Sequence, residues 1–156
     1  MRLHAFALAF ALVVALTAIP ALATQYETPQ ALLTALYADK TGSSDPDALT
    51  QYQDYFSDHL NGLFKADAAK TEPGNSLSLD FDPVIAGQDG EAEQLKIGKP
   101  EITGDTAIVA VRFMNGVSVT LYYSLVKQAN GWKVDDIEDK GAQFPWKVST
   151  IFADAK

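Results

Sequence analysis

The densest run of potential ligand atoms in the chain is Asp80-Phe81-Asp82-Pro83-Val84-Ile85-Ala86-Gly87-Gln88-Asp89-Gly90-Glu91. Asp80, Asp82 and Glu91 fall on the first, third and last positions of a twelve-residue calcium loop, where carboxylate oxygens would surround a hard cation. The match fails at its centre. Val84 and Ile85 stand where that loop needs an oxygen ligand and a turn glycine. The segment therefore reads as an acidic turn with Phe81 and Ile85 tucked inward and with no metal. Pro83 fixes the backbone after Asp82, so Asp82, Gln88 and Asp89 are read as structural holders of this turn, Asp89 by accepting backbone hydrogen bonds.

Other chemistries are narrowed by what the chain lacks. It has no cysteine, and its two histidines are His4 and His59. A typical zinc centre needs a cluster of Cys and His ligands, and thiol nucleophiles or thiol redox chemistry need a cysteine. His59 beside Asp58 has no serine elbow to work with, and no glycine loop of either nucleotide-binding type is present. No cofactor is expected. Asp135, Asp136, Glu138 and Asp139 form a second acidic group, read as a solvated rim at a strand end. The aromatics Tyr37, Phe56, Phe113, Tyr123 and Trp132 are read as core residues that, under a concave sheet, could equally line a ligand cavity.

The elements that must position these residues divide the chain in two. Residues 1–23 read as a signal peptide: Met1-Arg2, an apolar run from Ala5 to Ile19, Pro20, then Ala21-Leu22-Ala23 for cleavage after Ala23. Residues 24–156 read as one domain, soluble in the periplasm or secreted. The formal net charge of −8 becomes −9 when Arg2, the only charged residue of the leader, is removed. That balance argues against nucleic acid, whose phosphates need Lys and Arg, and against an anionic membrane surface. Thr28-Pro29 and Asp45-Pro46 read as starts of two helices. Leu32, Leu33, Leu36 and Tyr37 make the apolar stripe of the first, and Leu49, Tyr52, Phe56, Leu60, Leu63 and Phe64 that of the second. Ser57 offers a fresh cap, splitting that stretch in two.

After a polar linker at 71–76, the alternation of apolar and polar residues predicts strands over about 94–103, 106–114, 117–128 and 132–138. Gly104-Asp105, Asn115-Gly116 and Asn130-Gly131 mark tight turns between them, the two Asn-Gly pairs suiting type I′ hairpins. Trp132 and Val134 share a face while Ile137 would point away, so a β-bulge near Asp135-Asp136 is expected. A short helical flap over 145–152 closes the chain. The fold class is α+β: N-terminal helices packed on a curved, cone-like, four-stranded antiparallel meander.

Ala35-Leu36-Tyr37, the Asp82-Pro83 … Gln88-Asp89 segment and the strand Asn130-Gly131-Trp132-Lys133-Val134-Asp135-Asp136-Ile137 resemble an exported bacterial family known as domain of unknown function 3828. Its members resemble the nuclear-transport-factor-two-like cone fold. The resemblance runs from about Tyr26 to Glu138 and marks Asp82, Gln88 and Asp89 as candidates for the family's shared feature, without assigning an activity. Three functions are open on these readings. The first is a non-catalytic periplasmic binding or accessory module for a small molecule or an envelope protein. Its candidate ligand-binding residues are Tyr37, Asp82, Gln88, Asp89, Phe113, Tyr123 and Trp132. The second is an inhibitor or immunity-type protein steered by its acidic surface to a basic toxin or enzyme. The third is a cone-fold enzyme using Asp82 or Asp89 as general base near Tyr37.

Intact-mass measurement of the protein recovered from the exported fraction should give a chain beginning at Thr24. A membrane-bound species beginning at Met1 would defeat the leader assignment.

Overall fold

The computed structural model describes residues 25–38, 52–72, 77–141 and 143–154. The expected leader over 1–23, the helix start expected at Asp45-Pro46, Leu49 and most of the expected 71–76 linker lie outside them. Helix α1 (Pro29–Ala38) begins as its sequence requires. The Thr28 hydroxyl accepts the Ala31 N–H at 3.1 Å, and proline fills the first turn, where its missing N–H costs nothing. Its buried stripe is Leu32, Leu33, Leu36 and Tyr37. Helix α2 (Asp58–Lys70) starts at the Ser57 cap, whose hydroxyl accepts the Leu60 N–H at 3.0 Å. Asp58 in its first turn and Lys70 in its last both suit the helix dipole.

The strands are β1 (Glu93–Ile97), β2 (Glu101–Thr103), β3 (Thr106–Asn115), β4 (Val117–Gln128), β5 (Gly131–Asp139) and β6 (Trp146–Lys147), followed by helix α3 (Val148–Asp154). They form one open antiparallel sheet of order β1-β3-β4-β5-β6, with β2 also paired to β3. Six strands replace the expected four for two reasons. The 94–103 stretch breaks at Gly98-Lys99-Pro100, because Gly98 donates to the Ala110 carbonyl at 2.8 Å and Pro100 has no N–H for the ladder. A Cβ on Gly98 would sit 2.7 Å from that carbonyl oxygen. The tail then adds β6, through Glu138↔Lys147 and Asp139↔Trp146, before α3 begins.

The hairpins fall where the turn signals put them, but neither Asn-Gly pair forms the expected turn. Gln128 pairs with Gly131, leaving Ala129-Asn130 as the loop, and the β3–β4 register centres on Gly116. Among the described residues only Ala86 and Gln94 are non-glycines with positive φ, so neither asparagine takes the type I′ conformation. Gly131 (φ 96°) is instead needed for close approach: a Cβ there would lie 2.5 Å from the Tyr26 carbonyl oxygen.

Each of the three helices among the described residues touches β5, and β5 carries the expected bulge. Ser124 pairs with Asp136 while the next residue, Leu125, pairs with Val134, so Asp135 is the extra residue. The shift brings Val134 and Ile137, both fully buried, into one core with Val109, Val111, Leu121 and Tyr123. It also sends two carboxylates to two helices. Asp135 accepts the Ser57 hydroxyl at 2.7 Å, and Asp136 accepts the backbone N–H of Ser149 in α3 at 3.1 Å together with the Ser149 hydroxyl. The reading of this group as a solvated rim is thus corrected for these two residues, and Asp136 is only 7% exposed.

The edge of β5 away from β4 is also occupied. Trp132 N–H donates to the Tyr26 carbonyl (2.8 Å), Val134 N–H to that of Tyr55 (2.9 Å), and Ser57 N–H to that of Val134 (2.8 Å). The buried Lys133 ammonium donates to the Asp54 carbonyl, and burial lowers its pKa while Asp54 and Asp58 act the other way.

In chemical denaturation, Asp136→Ala should lose about 1–3 kcal/mol by stranding the Ser149 and Ile137 amides. Glu138→Ala, whose partner Lys140 is half exposed, should change stability by less than about 0.5 kcal/mol. Equal effects would contradict the helix-holding role of Asp136.

Candidate functional site

Three elements converge on the turn at residues 82–87. The turn closes on itself through Asp82 N–H to Gly87 O at 2.8 Å and Gly87 N–H to Asp82 O at 3.2 Å. Inside it, the Asp82 carboxylate accepts the Val84 N–H at 2.8 Å, the two-residue reach of an Asx turn that Pro83 helps to shape. The other Asp82 oxygen accepts the Tyr52 hydroxyl at 2.9 Å. From α1, Tyr37 donates its hydroxyl to the Val84 carbonyl at 3.0 Å. A carbonyl only accepts, so the single Tyr37 proton is committed there. The 2.8 Å contact between the Tyr37 and Tyr123 oxygens therefore has Tyr123 of β4 as donor. From the end of β3, the Asn115 amide donates to the Ile85 and Asp89 carbonyls at 3.0 and 3.2 Å.

The aromatic rings around these hydroxyls pack edge to face. Tyr37 meets Phe113 at 6.0 Å and Tyr123 at 6.2 Å between ring centres, within the favourable range for such pairs. Burial, the largest effect, raises the pKa of Tyr37; the bond from Tyr123 takes back part of that rise, and Asp82 adds a smaller rise of its own. Burial likewise raises Tyr123 well above its ordinary value, helped by Tyr37, Asp82 and Tyr52. Both phenols stay protonated through the physiological range, so they work as hydrogen-bond donors and not as bases.

Four of the seven candidate residues thus come together: Tyr37, Asp82, Phe113 and Tyr123. Gln88 and Asp89 are exposed beyond the turn. The expected role of Asp89 as the carboxylate that accepts backbone hydrogen bonds is corrected. Asp82 does that work, because only Asp82 faces the Val84 amide, whereas Asp89 contributes its backbone carbonyl to Asn115. Trp132, buried in the same core, stands at the far end of β5 opposite Lys127. Phe81 packs its ring on Trp146 at 4.9 Å and Ile85 is fully buried, as the apolar residues of an inward-tucked turn should be.

Two participants were not singled out from the sequence. Tyr52 stood only as one member of an apolar stripe, and Asn115 only as a turn residue. Their partners lie 30 and 26–30 residues away, and no local pattern signals such a contact. Among the described residues, every buried side-chain polar atom has a hydrogen-bond partner, and no group of three metal-ligating side chains occurs. No helix there is long and apolar enough to cross a membrane.

No family model matches the chain, and no curated protein matches it. Solved structures do. The chain is similar to one in the crystal structure of the type VI native effector-immunity complex Tae3-Tai3 from Ralstonia pickettii, at 21% identity and a TM-score of 0.51, over 76% of this chain and 100% of that one. It is similar in the same way to one in the selenomethionine form of that complex, at 19% identity and a TM-score of 0.53, over 75% of this chain and 100% of that one. At such identity the likeness is one of fold.

Asp82→Ala should cost about 1–3 kcal/mol in chemical denaturation and Asp82→Asn less, while Gln88→Ala and Asp89→Ala stay within about 0.5 kcal/mol of the parent. Three similar losses would restore a shared structural role. The raised phenols add a pH test. Their contribution to stability is complete below the ordinary tyrosine value of 10.0 and is lost as pH rises from there toward the higher folded values. Unfolding free energy should fall above that pH by up to about 1.4 kcal/mol per pH unit for each buried phenol, and less steeply in Tyr37→Phe. A parent and variant with the same alkaline slope would show that Tyr37 is not buried as described.

Proposed function

We propose that this chain is a non-catalytic binding protein of the inhibitor or immunity type, which holds a basic toxin or enzyme in the cell envelope. The observation that carries this reading is the fold it shares, along the whole of the matched chain, with a component of an effector–immunity complex. Its charge supports the same reading. A formal net charge of −8 on a small protein favours fast association with a cationic partner. So does the state of the turn: the hydroxyls of Tyr37 and Tyr52 and the Asp82 carboxylate are engaged in fastening 82–87 to the core. That geometry suits a scaffold presenting the exposed Gln88 and Asp89 better than it suits a general base.

The reading includes export. Cleavage after Ala23 would release residues 24–156 into the periplasm, where such a partner would be met. It also includes kinship with domain of unknown function 3828 and with the cone fold, supported by helices set against an antiparallel meander with a bulged final long strand.

Deleting the gene in the organism that encodes it should make the strain lose in mixed culture on a solid surface against its parent, and a plasmid copy should restore it. Equal growth of deletion and parent would rule out the immunity role.

A further inference from the structure

The long strands alternate between a dry face and an open one. Val109, Val111, Leu121 and Tyr123 belong to the core. Ile108, Ala110 and Arg112 of β3, with Thr120, Tyr122 and Ser124 of β4, alternate with the core positions and form the outer face, where each is half-buried or exposed. Ile108 is 49% exposed there. A single exposed apolar side chain is ordinary. What distinguishes this face is the arrangement of charge around it.

Strand register sets the charges in rows. Lys96 of β1 stands opposite Arg112, and Arg112 opposite Thr120. Glu101 of β2 stands opposite Ile108, and Ile108 opposite Ser124. Between these two rows Ala110 stands opposite Tyr122. Lys96, Glu101 and Arg112 are exposed, and among the described residues none of the three forms an ion pair. Glu93, one row beyond Lys96 and opposite Met114, makes no ion pair with it either. The β5 side of the face is already matched: Glu138, opposite Tyr122, pairs with Lys140 at 3.4 Å, Lys140 lies 4.4 Å over the Tyr122 ring, and Asp136 meets Lys147 at 3.3 Å. Like charges directly opposite one another in an antiparallel pair are unfavourable. Within one chain Lys96 and Arg112 therefore repel each other, with the Glu101 row about 14 Å away along the strand.

The basic and the acidic row are placed symmetrically. Arg112 lies two residues to one side of Ala110 and Ile108 two to the other, and β1 and β2 both pair with the same edge of β3. A two-fold axis along the Ala110–Tyr122 row sets two outer faces together with their strands reversed. Lys96 of one copy then falls over Glu101 of the other, and Arg112 over Ile108 beside that same Glu101, each contact occurring twice. We infer that the outer face of the sheet is where two copies of this chain join, through reciprocal Lys96–Glu101 pairs around Ile108, Ala110 and Tyr122. Four strand positions at about 4.8 Å and nine residues at about 3.4 Å give each face roughly 600 Å² in projection. The pair thus buries about 1,200 Å², the lower bound for a specific interface, which makes the dimer reversible and concentration-dependent. Two chains of formal net charge −8 repel one another overall, so they associate only where both signs meet in register.

The test is sedimentation equilibrium of the protein recovered from its host, in the parent, Lys96→Glu, Glu101→Lys, the double reversal, and Lys70→Glu as control, since Lys70 is exposed at the far end of α2. The parent should form a reversible dimer that Lys70→Glu leaves unchanged. Each single reversal on the sheet should weaken association by at least about tenfold, with an unchanged denaturation midpoint. The double reversal should return it to within about threefold of the parent. An equimolar mixture of Lys96→Glu and Glu101→Lys should associate although neither does so alone, because each supplies the charge the other lacks, and no folding defect produces that rescue. A monomeric parent, a dimer indifferent to both reversals, or a mixture that stays monomeric would each overturn the inference. It stands apart from the inhibitor reading, which the growth competition decides whether or not the chain pairs with itself.

Discussion

The fold depends on one extra residue in β5. In a regular strand successive side chains alternate between faces, so Val134 directed into the core would place Ile137 outside it. With Asp135 inserted, both are fully buried, which for each aliphatic side chain is worth about 1.5–3 kcal/mol. The same insertion separates the aims of two neighbouring carboxylates. Asp135 reaches Ser57, itself the cap of α2, and Asp136 reaches Ser149 in α3. A single bend in the strand thus sets where two helices attach. Because Tyr26 and Tyr55 also pair with β5, the strand supports the N-terminal segments as well.

The Asp82 turn depends on that arrangement at one remove. Tyr123, which donates to Tyr37, sits opposite Ile137 in the β4–β5 ladder, just past the bulge. Moving Ile137 to the other face would break the packing that holds Tyr123 beneath α1, and with it the chain of hydroxyls that ends at Val84. The exposed Gln88 and Asp89 then follow from a turn that is internally bonded and tied to β3 by Asn115. Their placement comes from the core, although neither belongs to it.

How far this was legible in the sequence follows the range of the interactions. The helix starts at Thr28 and Ser57, the long strands and the bulge are written in spacing and local chemistry, and the structure has them. The turn geometry at Asn115 and Asn130 is not, because tertiary contacts override the Asn-Gly preference. Asn115 is recruited by Ile85 and Asp89, and Gly131 is required under Tyr26. The break at Gly98 needed the position of the Ala110 carbonyl on the neighbouring strand. In the site, the aromatic character of Tyr37, Phe113 and Tyr123 was visible, but not which carboxylate they would surround. Asp82 and Asp89 look alike in sequence and differ only in what folds against them.

The buried carboxylates share a design that explains how a chain without cysteine ties distant segments together. Asp67, Asp82 and Asp136 are each less than a tenth exposed, and each accepts one or more backbone amides and one hydroxyl, from Ser78, Tyr52 and Ser149 respectively. Charge-assisted bonds of this kind are about twice as strong as neutral ones, and every acceptor left without its donors would be expensive. Each joins segments that secondary structure alone would leave apart: α2 to residue 78 beyond the linker, the 52–55 segment to the Asp82 turn, and β5 to α3. The acidic residues therefore fall into two populations. The buried ones are committed to the fold, and the exposed ones, Asp80, Asp89 and Glu91 among them, are left to the solvent and to whatever binds. Under the inhibitor reading proposed above, it is the second population that would steer a cationic partner, because solvent-facing charges can be altered with little effect on folding. The net charge of the chain thus overstates the charge available for recognition, and the division between the two sets is drawn by which carboxylates the backbone amides reach.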